Sequence, residues 1–340
     1  MMRSLLPLAT CCLLCHGIST AAQVQISTDP QSGYQIYELS SQDTHVRIAP
    51  SAGANVFSIQ VAGVEYLRQP EKLSQLPGVG YGTPVLYPTP NRVKGASFTF
   101  QGRKFEFPPN GRGNFIHGLV HRASWDAVAS WSSNDKASVT FKLIFREGTD
   151  WYKLFPLDHT IHLEIAVTPG AVRWTYEVDN TSGNDAVPFG FALHPYFVYQ
   201  GQRAETYLTI PATHWMESEN QLPSGRLVPA SELDYALGNP VSMDELWLDD
   251  VYWGMKPSQP VAIDFRDARR RVEIAASKEF THLVVWTPDR PYFGIENQTC
   301  STDAHNLHAA GKRDAAHLQI CKVGQKLRGW VEYQFQAASE

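Results

Sequence analysis

Apolar and polar residues alternate with period two along much of the chain. Ser138-Val139-Thr140-Phe141-Lys142-Leu143-Ile144-Phe145 does so, and so does His162-Leu163-Glu164-Ile165-Ala166-Val167. Val172-Arg173-Trp174-Thr175-Tyr176-Glu177-Val178 continues the pattern. Successive side chains of a strand point to opposite faces, so this alternation predicts strands with one face buried. Val46 to Ala49, Asn55 to Val61, Val64 to Leu67, His282 to Trp286 and Trp330 to Phe335 read the same way. Phe98-Thr99-Phe100 and Lys104-Phe105-Glu106-Phe107 flank Gln101-Gly102, which is a hairpin signature. No long stretch carries a sustained helical stripe. Strands recur at a spacing of roughly 8–12 residues with turn chemistry between them. The expected fold class is all-β, a large antiparallel β-sandwich. Ser218 to Asn239 lacks a clear period and reads as loops over the sandwich.

The first 22 residues have another character. Arg3 gives a positive start, Leu5 to Leu14 is apolar apart from Pro7 and Thr10, and Ser19-Thr20-Ala21-Ala22 supplies small residues. That order reads as a signal peptide over residues 1–22, cut after Ala22. It implies a periplasmic or secreted protein whose single domain spans 23–340. A lipidated Cys11 is the weaker reading, because Thr10 suits that position poorly. The apolar run is too short for a membrane span, and no later segment is long enough. Cys11, Cys12 and Cys15 leave with the leader. Cys300 and Cys321 remain, either bridged or as two buried thiols.

With 43% hydrophobic and 19% charged residues, the chain has material for a large core and is not a disordered protein. A net charge of −5 argues against nucleic-acid binding, which needs a basic surface. Nine Trp and 14 Tyr suffice for sugar-stacking surfaces as well as for core. The sequence has no P-loop, dinucleotide fingerprint, nucleophile elbow or His-Glu-x-x-His motif. His159 and His162 fall on opposite faces of a strand, so they do not make a metal site. Arg269-Arg270-Arg271 reads as a charged strand edge.

Four stretches set titratable groups among aromatics, next to Gly or Pro. They are Tyr87 to Val93, Asn114 to Leu119, Phe189 to Phe197, and Tyr292 to Thr299. Lone charges in apolar surroundings are costly, so Arg92 and Glu296 must find partners. Each stretch alone could be a polar plug in the core. Together, two imidazoles, a carboxylate and a guanidinium make a working set for proton transfer.

Asn91-Arg92-Val93 with Gly95, His117-Gly118, His194-Pro195-Tyr196-Phe197 and Ile295-Glu296-Asn297-Gln298-Thr299 stand in the order found in one family. On these motifs the chain resembles the aldose 1-epimerase (mutarotase) family, over about Val46 to Phe335. The resemblance implies a galactose mutarotase-like supersandwich and a free aldose as the small-molecule substrate. It implies Glu296 as the base that takes the anomeric hydroxyl proton and His194 as the acid that protonates the ring oxygen. Arg92 and His117 would bind sugar oxygens. Asp249 would be a further substrate ligand, chosen by its distance from Tyr252, with Asp250 left open. No metal, cofactor or covalent nucleophile is required. A Glu near ~4.3 and a His near ~6.5 would serve without large shifts.

One departure concerns the substrate. After His117-Gly118 come His121-Arg122 and Trp125, similar to the hexose-6-phosphate branch, in which an Arg helps hold phosphate. Asn91-Arg92 fits the free-sugar branch better, and His121-Arg122 reads equally as a solvated strand edge. Two other functions compete. A glycoside hydrolase would pair Glu296 with Asp249 or Asp250 but leaves the histidines unexplained. A non-catalytic carbohydrate-binding module would have no need for both His194 and Glu296.

Overall fold

The computed structural model describes residues 21–234 and 237–337. Its sheets are antiparallel throughout, as the alternation predicts. The largest has nine strands. Ala137–Phe145, His159–Thr168 and Ala171–Asp179 run side by side, followed by the late strand Lys326–Ala337 and then Arg270–Ala276, Val261–Phe265 and Thr206–Thr209. The late strand therefore fills the middle of the sheet, with Trp174 opposite Val331 and Val172 opposite Tyr333. An eight-stranded sheet contains His214–Glu219, Asp249–Trp253, His282–Trp286 and Tyr292–Gln298 in neighbouring places. A five-stranded sheet from Gln23–Thr28 to Val64–Glu65 packs on the largest one, Tyr37 meeting Phe141 edge-on at 5.4 Å. One hydrophobic core runs through all three sheets.

Of the expected leader, residues 1–20 lie outside the described residues. Ala22 is buried, and its N–H donates to the Asn134 carbonyl at 3.2 Å. Cys300 and Cys321 are two free, buried thiols, so the bridge does not form. His159 is a core residue, hydrogen-bonded to the Tyr87 hydroxyl at 2.7 Å and to the Leu157 carbonyl at 2.7 Å.

Two expectations are corrected. Ser218 to Asn239 is not a run of loops, because Leu222–Pro229 is a strand paired with His214–Glu219. Pro223, Gly225 and Pro229 mask its period, and they are tolerated because it lies at the end of its sheet. Arg270–Ala276 is not an edge but lies between Val261–Phe265 and Lys326–Ala337. Counter-charge comes from both strands: Arg271 meets Asp264 of the neighbouring strand at 2.6 Å directly across the ladder, and Glu273 of its own strand at 3.0 Å. The exposed edge is Asp126–Ser132, with Trp131 54% exposed.

Two short helices, Ala304–Ala309 and Arg313–Ala316, cover the far side of the eight-stranded sheet. Met216, Val284, Cys300, Leu307 and Ala316 form a small second core there, and Leu227 packs against it. This core anchors the hairpin 214–229 beside the site described next.

Candidate active site

Glu296 lies in strand Tyr292–Gln298, opposite Val284 of the neighbouring strand. Phe293 and Ile295 belong to the main core. Period two therefore sends Glu296 to the other face, where it is 3% exposed. His194 follows the short strand Ala192–Leu193 and is held by its own N–H, which donates to the Pro84 carbonyl at 2.9 Å. Its ring stacks on Tyr196 at 4.7 Å and meets His117 edge-on at 5.1 Å. His194 Nε2 is 3.2 Å from Glu296 Oε1, and Gln298 Nε2 donates to Glu296 Oε2 at 3.1 Å.

Arg92 and His117 are placed by a two-strand ladder, Arg92–Val93 against Phe115–Ile116. The His117 N–H donates to the Asn91 carbonyl at 2.8 Å, and Arg92 Nη1 donates to Asn91 Oδ1 at 2.9 Å. Gly118 makes the approach possible: its φ is +71°, and a Cβ there would lie 2.4 Å from the Tyr87 carbonyl oxygen. Asp249 opens strand Asp249–Trp253 opposite Trp286 and is exposed. It accepts a hydrogen bond from Gln221 Nε2. Asp250 turns away, accepting from Trp215 Nε1 at 3.1 Å.

The structure thus brings Arg92, His117, His194, Asp249 and Glu296 to one cavity of about 370 Å³, within the range of small-molecule sites. Asp249, not Asp250, is the carboxylate that lines it. Tyr196 and Trp286 supply aromatic wall. Arg112 and Gln221 also line it and were not singled out in the sequence; each sits in a polar turn with positive φ. Among the described residues no group of His, Cys, Asp and Glu is arranged to hold a metal ion.

The electrostatics differ from the sequence expectation. Burial pushes the Glu296 carboxyl up to about 8; Gln298 and Arg92 oppose the shift, and Asp249 adds to it. Burial brings His194 down to about 4. Burial, then the neighbouring His194, holds His117 well below the usual imidazole range. Each group alone resists its charge in this buried place, and the 3.2 Å contact is short enough for a proton to pass between His194 and Glu296. The reference values assumed from sequence belong to solvated groups.

His121 is buried rather than solvated, in the turn Val120–Arg122, with Nδ1 3.1 Å from the His117 carbonyl oxygen. Arg122 is exposed and lies outside the cavity, in a separate depression with Trp151. No strand edge forms there, and Arg122 does not face the site.

The aldose 1-epimerase family model matches residues 35–334, and the chain belongs to that family. It is similar to the uncharacterized protein YphB of Escherichia coli (strain K12), 26% identical over 172 residues. That match covers 50% of this chain and 54% of YphB, so it spans about half the length of that relative. Similarity to the uncharacterized protein YihR of the same organism is 23% over 295 residues, covering 83% of this chain and 89% of YihR. A galactose mutarotase-like protein from Clostridium acetobutylicum has a similar structure, with a TM-score of 0.83 at 20% identity over 93% of this chain and 99% of that one. A galactose 1-epimerase from Lactobacillus acidophilus NCFM gives 0.74 at 14% identity, over 94% and 100%. These structures show the galactose mutarotase-like fold.

Proposed function

We propose that the protein interconverts the α and β anomers of free aldoses. The observation that carries this is the buried contact of His194 with Glu296 at 3.2 Å inside a cavity of sugar size. With sugar bound, Glu296 takes the anomeric hydroxyl proton while His194 gives one to the ring oxygen. The bond from C1 to the ring oxygen breaks and an open aldehyde forms. Rotation about C1–C2 presents the other carbonyl face. On closure His194 takes back the proton and Glu296 returns one to the new hydroxyl, so both groups end as they began. Proton transfer to or from a positioned side chain contributes roughly 10²–10⁴-fold, which is about 3–5 kcal/mol. His117 and Arg92 hold sugar oxygens beside this pair.

Polarimetry on freshly dissolved α-glucose and α-galactose tests the reading. Glu296→Gln keeps the size and the hydrogen-bonding ends but removes the base. His194→Asn keeps a polar group but removes the acid. Each should lower kcat by roughly 10²-fold or more. The double variant should fall little further than the worse single one. A folded Glu296→Gln protein that opens and closes the ring as fast as the parent would replace this reading with a non-catalytic sugar-binding one.

A further inference from the structure

The hairpin from His214–Glu219 to Leu222–Pro229 turns on two residues, Asn220 with φ +52° and Gln221 with φ +63°. A two-residue turn with both φ positive favours Asn followed by Gly. Asn220 meets that preference, and Gln221 sits where Gly would be the less strained residue. Its side chain lines the cavity, and its amide donates to Asp249 Oδ2. The arm that carries it is fixed from below, because Met216 and Leu227 pack on the second core. Glu217 accepts from Ser224 at 2.8 Å and pairs with Arg226 at 2.9 Å across the hairpin.

We infer that Gln221 is a positioning residue of the sugar cavity, holding the Asp249 carboxylate in the orientation that receives sugar hydroxyls remote from the reacting carbon. This rests on the epimerase reading for the identity of the ligand. Asp249 is exposed on a strand end, so without a partner its carboxylate samples several rotamers. Gln221 occupies Oδ2, while Oδ1 makes no hydrogen bond among the described residues and the carboxylate feels only the longer-range attraction of the Arg92 guanidinium. Ordering before binding lowers the entropy lost when the sugar arrives. Gln221 therefore acts on binding, and the buried proton-transfer pair is untouched by it.

The turn itself supplies the clean test. Gln221→Gly removes the amide and relaxes the backbone, so the hairpin keeps its shape and Tm stays level or rises. Initial rates on α-glucose and α-galactose should show KM raised about tenfold with kcat within twofold of the parent. Titration calorimetry with the same sugars should show Kd weakened to match. In an Asp249→Ala background the same substitution should add less than twofold, because its acceptor is already gone. An unchanged KM and Kd in Gln221→Gly overturns the inference. So does a full tenfold further loss in the Asp249→Ala background, which would place Gln221 on the sugar independently. A parent that binds the sugar without converting it defeats the epimerase reading alone, since Kd still reports on Gln221.

Discussion

The two ends of the cavity are built on opposite plans. At the inner end Glu296, His194 and His117 are packed among aromatic rings and main-chain segments that leave no slack. At the outer end Asp249, exposed at a strand end, meets Gln221, half-buried at a hairpin tip. Burial shifts the inner groups strongly, because desolvation penalises whichever form is charged. An exposed polar contact is worth little in stability, typically ~0.2–1 kcal/mol for a surface ion pair, so its value lies in orientation. On the proposed reading, chemistry falls at the end where charge is expensive, and recognition at the end where it is cheap.

Glycine offers the sharpest way to break this contrast. Gly118→Ala puts a Cβ 2.4 Å from the Tyr87 carbonyl oxygen, a main-chain atom that cannot step aside. The left-handed backbone alone costs ~1–2 kcal/mol for a residue with Cβ. Overpacking adds ~1–3 kcal/mol. We expect a loss of about 2–5 kcal/mol in urea unfolding, with kcat lowered at least tenfold as His117 is displaced. The reverse change at the outer end, Gln221→Gly, should leave stability intact. Equal tolerance at both positions would erase the distinction between the ends.

The pH profile of kcat/KM sharpens the comparison next. Below about 4 the inner pair takes a second proton through His194, and no base remains. Above about 8 it loses its last proton from Glu296, and no acid remains. Between these limits the pair holds one proton, whichever residue carries it, and kcat/KM should be flat. Unshifted solvated groups would instead make the rate fall from about 6.5 upward. Stopped polarimetric rates from pH 3.5 to 9.5, corrected for spontaneous conversion, separate the two cases. A fall centred near 6.5 would mean that the inner end is wetter than its packing shows.

How much of this was legible in the sequence follows the same division. Strands such as Ala137–Phe145 and Ala171–Asp179 announce themselves because one buried face forces period two. Glu296, His194, Arg92 and His117 were legible because a charge or an imidazole among aromatics must have a reason to be there. Gln221 carried no such signal: a Gln in a turn is ordinary, and its strand was disguised by two prolines and a glycine. Asp249 and Asp250 separate only when register is known, one facing Trp286 and the cavity, the other facing Trp215. The arginine run was misread because edge and centre are properties of a sheet, not of a strand. The proton state was misjudged because the desolvation of Glu296 comes from segments scattered across the chain.

The smallest expected effect bears on the substrate. Arg122 is the residue by which the sequence resembles the sugar-phosphate branch, yet it is exposed and lies in a depression with Leu119, Ala123, Asp150, Trp151 and Leu154. It does not line the cavity that holds Glu296 and His194. Its guanidinium lies beside Gly78, where an added Cβ would be 3.0 Å from Nη2. Removing an exposed side chain away from special features usually changes stability by less than ~0.5 kcal/mol. Arg122→Ala should therefore leave kcat and KM within twofold of the parent for glucose and for glucose 6-phosphate alike. Paired assays on the two sugars at one ionic strength make the comparison, since screening alters any long-range attraction for phosphate. A loss confined to the phosphorylated sugar would move the recognition end of the cavity to Arg122 and away from Asp249.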